Sequence, residues 1–387
     1  MVRPIIPLRQ GTSRVAETAY RNCRRPVVQG AGGAVQRSGA GVPDPRQGHW
    51  RGFDDASARL WTDGADRLSV GTLLFEMAPG RTGRAPLVLA RAPGLCLSLN
   101  DQIVTVEAQG MRADLACGVD SSGGECHVGM TWQSDRGRLT VAVWHGQGAV
   151  RIAELPWRGA LDARTLWQSG THRPSDGEGI VGLALSEAVE PLGPLGGIDP
   201  SSLVETPRGR RLASALVPGD MVLTADGDLA QVRWAGTVPM PAFPSRAPVR
   251  VRAPYLGLWR DLVLSPQDAL RIEGTDVEYL FGTDAVLVPV SVIRRDAIVV
   301  AEPVWPYVGL RSIVLDRPAA LIANGGAVQR LHGVGLSDVE EAPGYDARAV
   351  GLCGRIPVSL WPSTDGAERL PVLRREEMRM LLNFRAA

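Results

Sequence analysis

The sequence predicts an all-β protein: short runs of alternating apolar and polar residues recur along it, turn dipeptides separate them, and no stretch has the apolar spacing of a long helix. At 387 residues the chain exceeds one ordinary hydrophobic core, so two domains are expected. A Pro/Gly cluster from Pro191 to Gly197 marks the boundary between them.

Residues 1–48 carry eight arginines against only Glu17 and Asp44, and the stretch from Gln29 is rich in Gly, Pro, Ser and Ala. Such a segment cannot bury enough apolar surface to offset the entropy of ordering, and it reads as a disordered basic leader. Its one apolar stretch, Pro4 to Leu8, is shorter than the core of a classical signal peptide. That leaves a cytoplasmic chain or one exported by a signal-less route. No apolar run approaches the roughly 20 residues of a membrane span. A net charge of +1 supplies no overall field for nucleic acid, so no nucleic-acid partner is expected.

Residues 49–195 read as a β-sandwich. Strands are expected over Thr72 to Met77, Pro86 to Arg91, Leu95 to Leu99, Ile103 to Ala108, Val128 to Trp132, Leu139 to Trp144 and Ile180 to Leu185. Turn pairs at Asp63–Gly64, Pro93–Gly94 and Gly123–Gly124 suit a sandwich or jelly roll better than βαβ units. Within it, "CHVGMTWQSDRGRLTVAVW" and the later "GIVGLALSEAVEPLGPLGGI" resemble laminin-G or concanavalin-like modules. That resemblance implies a lectin-like jelly roll and a glycan partner.

Candidate ligands in this half are sparse. His127, His145 and His172 lack zinc spacing, and Asp54, Asp55, Asp63 and Asp66 do not match a calcium loop. Neither a metal nor a cofactor is expected. Trp132, Trp144, Trp157 and Trp167 suit a packed core or a sugar-stacking face. The five cysteines show no paired metal spacing, and their odd number argues for reduced, buried thiols. Cys117 and Cys126 flank a Gly/Ser-rich turn, however, and could pair across it in an oxidising compartment.

Residues 203–236 read "LVETPRGRRLASALVPGDMVLTADGDLAQVRWAG". Pro207 to Gly209 turns the chain, and Leu212 and Leu216 are spaced to pack one helical turn against a sheet. Pro218–Gly219 suits a type II turn, and Asp226–Gly227 a tight hairpin. Asp220, just after the turn, is placed to cap backbone amides. This combination, followed by "LVLSPQDALRI", "EYLFGTDAVLVPVSVI" and "YVGLRSIVLDRPAALIANG", resembles bacterial Hint (Hedgehog/intein-type) autoprocessing domains over residues 197–333. The resemblance implies an all-β horseshoe whose ends meet at a self-cleaving centre.

That chemistry needs a thiol or hydroxyl at the domain's first position to attack the preceding carbonyl. Counting back from Thr206 and Pro207 puts Gly197 there, and glycine has nothing to attack with. The family histidine that gives a proton to the leaving amide falls at the end of Ser265, Pro266, Gln267, Asp268; an aspartate is ionised at neutral pH unless strongly desolvated, and then accepts hydrogen bonds and cannot donate one. The later family histidines fall at Gly309 and Pro318, again without a donor. Ser201, four residues after Gly197, is the fallback nucleophile, and it reads equally as a turn residue with Ser202. His332 lies past the last recognisable strand and reads as a surface or packed residue.

Residues 334–387 form a C-terminal segment with an acidic cluster at Asp338 to Glu341 and a short helix from Arg374 to Leu382, which is expected to pack back on the second domain. The functional expectation is a non-catalytic scaffold or binding module for a protein or glycan. A self-cleaving protein using Ser201 and a glycan binder with a relic autoprocessing domain remain alternatives.

Overall fold

The computed structural model describes residues 50–51, 67–77, 86–100, 102–117, 125–145, 150–171, 180–193, 196–243, 245–293, 298–301, 307–330 and 370–386. The leader, the four aspartates weighed for calcium, His172, His332 and the acidic cluster at 338–341 lie outside them. The described residues all belong to one compact unit, Asp44–Ala387.

The first half is a sandwich of two antiparallel sheets. One sheet has the order Trp50–Arg51, Ile180–Ser186, Val70–Met77, Cys126–Gln133, Arg138–His145, Arg151–Pro156. The other is a meander of Leu87–Ala92, Leu95–Asn100, Ile103–Ala108 and Met111–Ala116. Leu73, Phe75, Met130, Trp132 and Val141 share one buried cluster with Leu89, Leu97, Val104 and Val106, which joins the sheets face to face. In Ile103–Ala108 the alternation is plain: Val104, Val106 and Ala108 point inward while Ile103 is exposed.

Val70–Met77 and Cys126–Gln133 behave differently, because almost every residue along them is buried. A strand buried on successive residues must be covered on both faces. The second cover is a cluster of Trp50, Leu74, Ala142, Trp144, Ala184 and Leu192 with Phe243, which comes from the C-terminal half. Gly182 makes room for it: a Cβ there would lie 2.6 Å from the Phe243 ring. Trp50 Nε1 also donates to the Pro239 carbonyl at 3.0 Å.

The expected strands of this half are present, each within two residues of its expected ends. Met111–Ala116, Arg151–Pro156 and the helix Ala163–Thr171 are additions to the sequence reading. The cysteine expectation is corrected. Cys117 and Cys126 form a disulfide, with Cα atoms 6.6 Å apart, that ties the end of the four-stranded sheet to the six-stranded one. The strand ends bring the two thiols within bridging reach, so the pairing named as the alternative to reduced thiols is the one present.

The second half has three further sheets. The largest orders Gly209–Leu212, Leu203–Thr206, Leu321–Ala323, Gly326–Arg330, Asp268–Glu273, Ala285–Pro289. The long strand Leu229–Pro241 runs antiparallel to Tyr307–Leu315, with a register shift between Val232 and Trp234, and Met221–Leu223 flanks it. Leu262–Leu264, Val249–Val251 and Val299–Ala301 make the third. The turn chemistry acts as expected: Gly219 takes φ 95° with Asp220 N donating to the Val217 carbonyl at 3.1 Å, and Gly227 takes φ 81°. The Asp220 carboxylate accepts from Val217 N at 2.9 Å, and that bond, followed by Arg211, holds its pKa below the usual range.

One local expectation fails. Leu216 is fully buried but Leu212 is exposed, because Leu212 ends a strand and only the short 3₁₀ turn Ala213–Ala215 separates the two. The C-terminal helix, Arg375–Ala386, buries Met378, Leu381 and Leu382 in the same core as Leu270, Val286 and Val288. Pro371 and Leu373 add backbone hydrogen bonds to Leu287, and Arg385 pairs with Asp276.

Candidate functional site

The Gly196–Gly197 peptide sits where two strands of the second half converge. Ile198 bridges both Leu264 and Arg311, and Ile198 N donates to the Arg311 carbonyl at 3.1 Å while Arg311 N donates back at 2.7 Å. Ser265 N donates to the Gly197 carbonyl at 2.8 Å. The chain entering the second half is thereby laced into the ladder between Leu262–Leu264 and Tyr307–Leu315.

Around that peptide the polar atoms are fully engaged. Gly197 N donates to Asp268 Oδ2 at 2.6 Å, and the Ser312 hydroxyl donates to the Gly196 carbonyl. Asp268, Ser265 and Ser312 are each at least 97% buried. A Cβ on Gly197 would lie 3.0 Å from the Arg311 carbonyl oxygen and 3.0 Å from Leu310 Cβ, so a side chain there requires the neighbouring strand to shift.

The structure thus gathers Gly197 with both ends of the Ser265–Asp268 block. Gly309 stands opposite Pro239 in the long ladder, two residues before Arg311, and Pro318 lies in the bend after Tyr307–Leu315. Neither side chain carries a proton donor. Ser201 is exposed, and its amide and hydroxyl both donate to Asp199 Oδ1, its own local neighbour.

The family model described as the Hint domain matches residues 198–333, which begin just after the Gly196–Gly197 peptide and include Ser265, Asp268 and Ser312 around it. The chain carries a Hint domain. Among solved structures, the chain is similar to the MchDnaB-1 intein, 16% identical over 34% of this chain and 98% of that one, with a TM-score of 0.24. The Msm DnaB1 intein splicing domain bound with zinc is similar to the same extent: 16% identity, 34% and 98% coverage, TM-score 0.24. No curated protein matches the chain. Among the described residues no group of three or more His, Cys, Asp or Glu could hold a metal, and no helix is long and apolar enough to cross a membrane.

A second polar group lies next to the centre and escaped the sequence reading. Ser245 Oγ donates to Glu76 Oε2 at 2.6 Å and lies 3.2 Å from His127 Nε2, while His127 Nδ1 is 3.9 Å from the same carboxylate oxygen. His127 stacks on Trp144 with ring centroids 4.9 Å apart. Burial pushes Glu76 up to about 7, against the opposing pull of the Ser245 hydrogen bond. Arg246 lies over the other aromatic surface here, 5.0 Å from the Trp144 centroid and 5.8 Å from that of Phe243, and burial brings its pKa down to about 10. Glu76, His127 and Trp144 come from the sandwich and Ser245 and Arg246 from the Hint domain. No motif spacing links residues more than a hundred positions apart, so nothing in the sequence announced the group. Ser312 did leave a signal: it is a polar residue at an inward position of the apolar run "YVGLRSIVL".

Proposed function

We propose that this Hint domain does not cleave or splice its own chain and serves as a scaffold that presents the sandwich as part of one rigid body. The observation that carries this reading is the Gly196–Gly197 peptide. The residue at the expected attacking position has no side chain, a Cβ there would crowd Arg311 and Leu310, and the amide nitrogen donates a hydrogen bond to Asp268. General acid–base catalysis contributes roughly a hundred- to ten-thousandfold, and covalent attack requires a nucleophile altogether, so losing both leaves only background amide hydrolysis.

The scaffold role is supported by the shared interface. Phe243 caps the outer face of the six-stranded sheet, and Glu76 and Ser245 link the two halves beneath it. The test is a time course of the purified full-length chain over several days, with Ser201→Ala in parallel. An unchanged single band in both supports the reading. Appearance of two fragments dividing near Gly196, suppressed in Ser201→Ala, supports the self-cleaving alternative instead.

A further inference from the structure

A pocket of about 30 Å³ opens beside the Gly196 carbonyl, walled by Val238, Met240, Val308 and Leu310 and carrying Ser265, Gln267, Ser312 and Arg246 as its polar lining. Arg246 is the one charged residue among those that line it. Its side chain is nine-tenths buried, and Nη1 and Nη2 have no hydrogen-bond partner. A guanidinium has five N–H donors and cannot release its proton at neutral pH, so leaving its outer two nitrogens buried without an acceptor is costly. The ring faces of Trp144 and Phe243 attract the cation from one side, but they accept nothing from the in-plane N–H groups.

We propose that this pocket is a binding site for a small planar oxyanion of the formate or nitrate type, held by Arg246. A guanidinium presents two parallel N–H groups that match two oxygens of a planar anion, which is the geometry left open here. The pocket's size, about 30 Å³, is that of two or three water-sized occupants and suits a small anion. The nearest carboxylate that acts on Arg246, Glu76, is engaged by Ser245 through both oxygens and does not take the place of the anion. Asp268 does not line the pocket; its Oδ2 faces the Gly197 amide. The inference rests on the non-cleaving reading, since an intact Gly196–Gly197 bond keeps Gly196 in the pocket wall. It adds to that reading a ligand, held beside the Gly196 carbonyl.

The test uses the full-length chain in a gluconate buffer at constant ionic strength, titrated with sodium formate. Saturation transfer from the protein to the formate proton is read alongside tryptophan fluorescence, because Trp144 lies against Arg246. The expected result is saturable binding in the millimolar range that nitrate competes away and gluconate does not. Arg246→Met is expected to weaken it by at least tenfold. Val308→Phe, which fills the pocket and keeps the arginine, is expected to do the same, so either variant suffices if the other fails to fold. No saturable transfer in the unmodified chain overturns the proposal, and so does saturable binding unchanged in either folded variant. The mass of the chain in the same samples reports separately on cleavage, so failure of the non-cleaving reading and failure of the anion site are told apart.

Discussion

The Asp268 carboxylate accepts the Gly197 amide proton at 2.6 Å, across a separation of 71 residues. In a self-cleaving centre that nitrogen is the leaving group and must gain a proton. Here its N–H is held in a hydrogen bond to an acceptor, and the contact serves to anchor the start of the domain. Replacing Asp268 with Ala leaves a buried N–H without a partner, so Asp268→Ala is expected to lower stability by about 1–3 kcal/mol in urea unfolding. An unchanged midpoint would remove the anchoring role.

Gly197→Ala tests the packing around the same peptide. Its new Cβ meets the Arg311 carbonyl oxygen and Leu310 Cβ at 3.0 Å, and overpacking of this kind costs about 1–3 kcal/mol. Gly197→Cys meets the same atoms, is expected to be destabilised comparably, and is not expected to gain cleavage, because the Asp268 oxygen beside the Gly197 nitrogen accepts a hydrogen bond from it. Cleavage in Gly197→Cys would show that the centre lacks only its nucleophile.

The packing of Phe243 on the sandwich makes a coupled pair. Gly182→Ala places a Cβ 2.6 Å from the Phe243 ring and is expected to destabilise the chain by about 1–3 kcal/mol. In a Phe243→Ala background the clash disappears, so the same substitution is expected to cost much less; a double-mutant cycle on unfolding free energies reads the difference. Additive effects would mean that the two residues do not meet in solution.

Glu76 sets a pH dependence whose sign follows from its raised pKa. The group moves from 4.5 in the free side chain to about 7 in the fold, raised by burial and by Glu125 against the opposing pull of Ser245 and Arg246, with His127 alongside. Between those values the native state keeps a proton that the unfolded chain has lost, so this group makes stability fall as pH rises through that window, by about 3 kcal/mol in total. Glu76→Gln stays neutral and retains an acceptor for Ser245. The stability difference between the two proteins is therefore expected to change between about pH 5 and about pH 8, in favour of the variant at high pH. A constant difference would contradict the assignment.

The Cys117–Cys126 disulfide closes a short loop between two sheets, nine residues apart in sequence. On loop-closure grounds, reduction or Cys117→Ser is expected to cost about 2–3 kcal/mol, read as a lower melting temperature with dithiothreitol. Cys96 is the free thiol among the described residues and serves as the labelling control.

How far the sequence led depends on what each feature rests on. Strands with a covered face, such as Ile103–Ala108, show alternation and were legible. Met111–Ala116 and Arg151–Pro156 are edge strands in which Leu115 and Leu155 are the buried residues, so their apolar signal was too thin to register. Gly197 and Asp268 are singled out by motif spacing, which does not encode the direct contact between them. The Glu76–Ser245–His127 group and the Arg246 pocket depend on packing between distant segments, which periodicity and spacing do not encode. Leu212 shows the opposite error: a helical spacing with Leu216 was read where a strand end intervenes.

The most direct test of the inert centre is the intact mass of the full-length chain after prolonged incubation with hydroxylamine and with dithiothreitol, nucleophiles that release any ester or thioester formed at the Gly196 carbonyl. A single species at 41.3 kDa under both conditions is the expected result. Two fragments whose masses divide the chain between Gly196 and Gly197 would show that the peptide is activated, and would contradict the account of a centre with neither nucleophile nor proton donor.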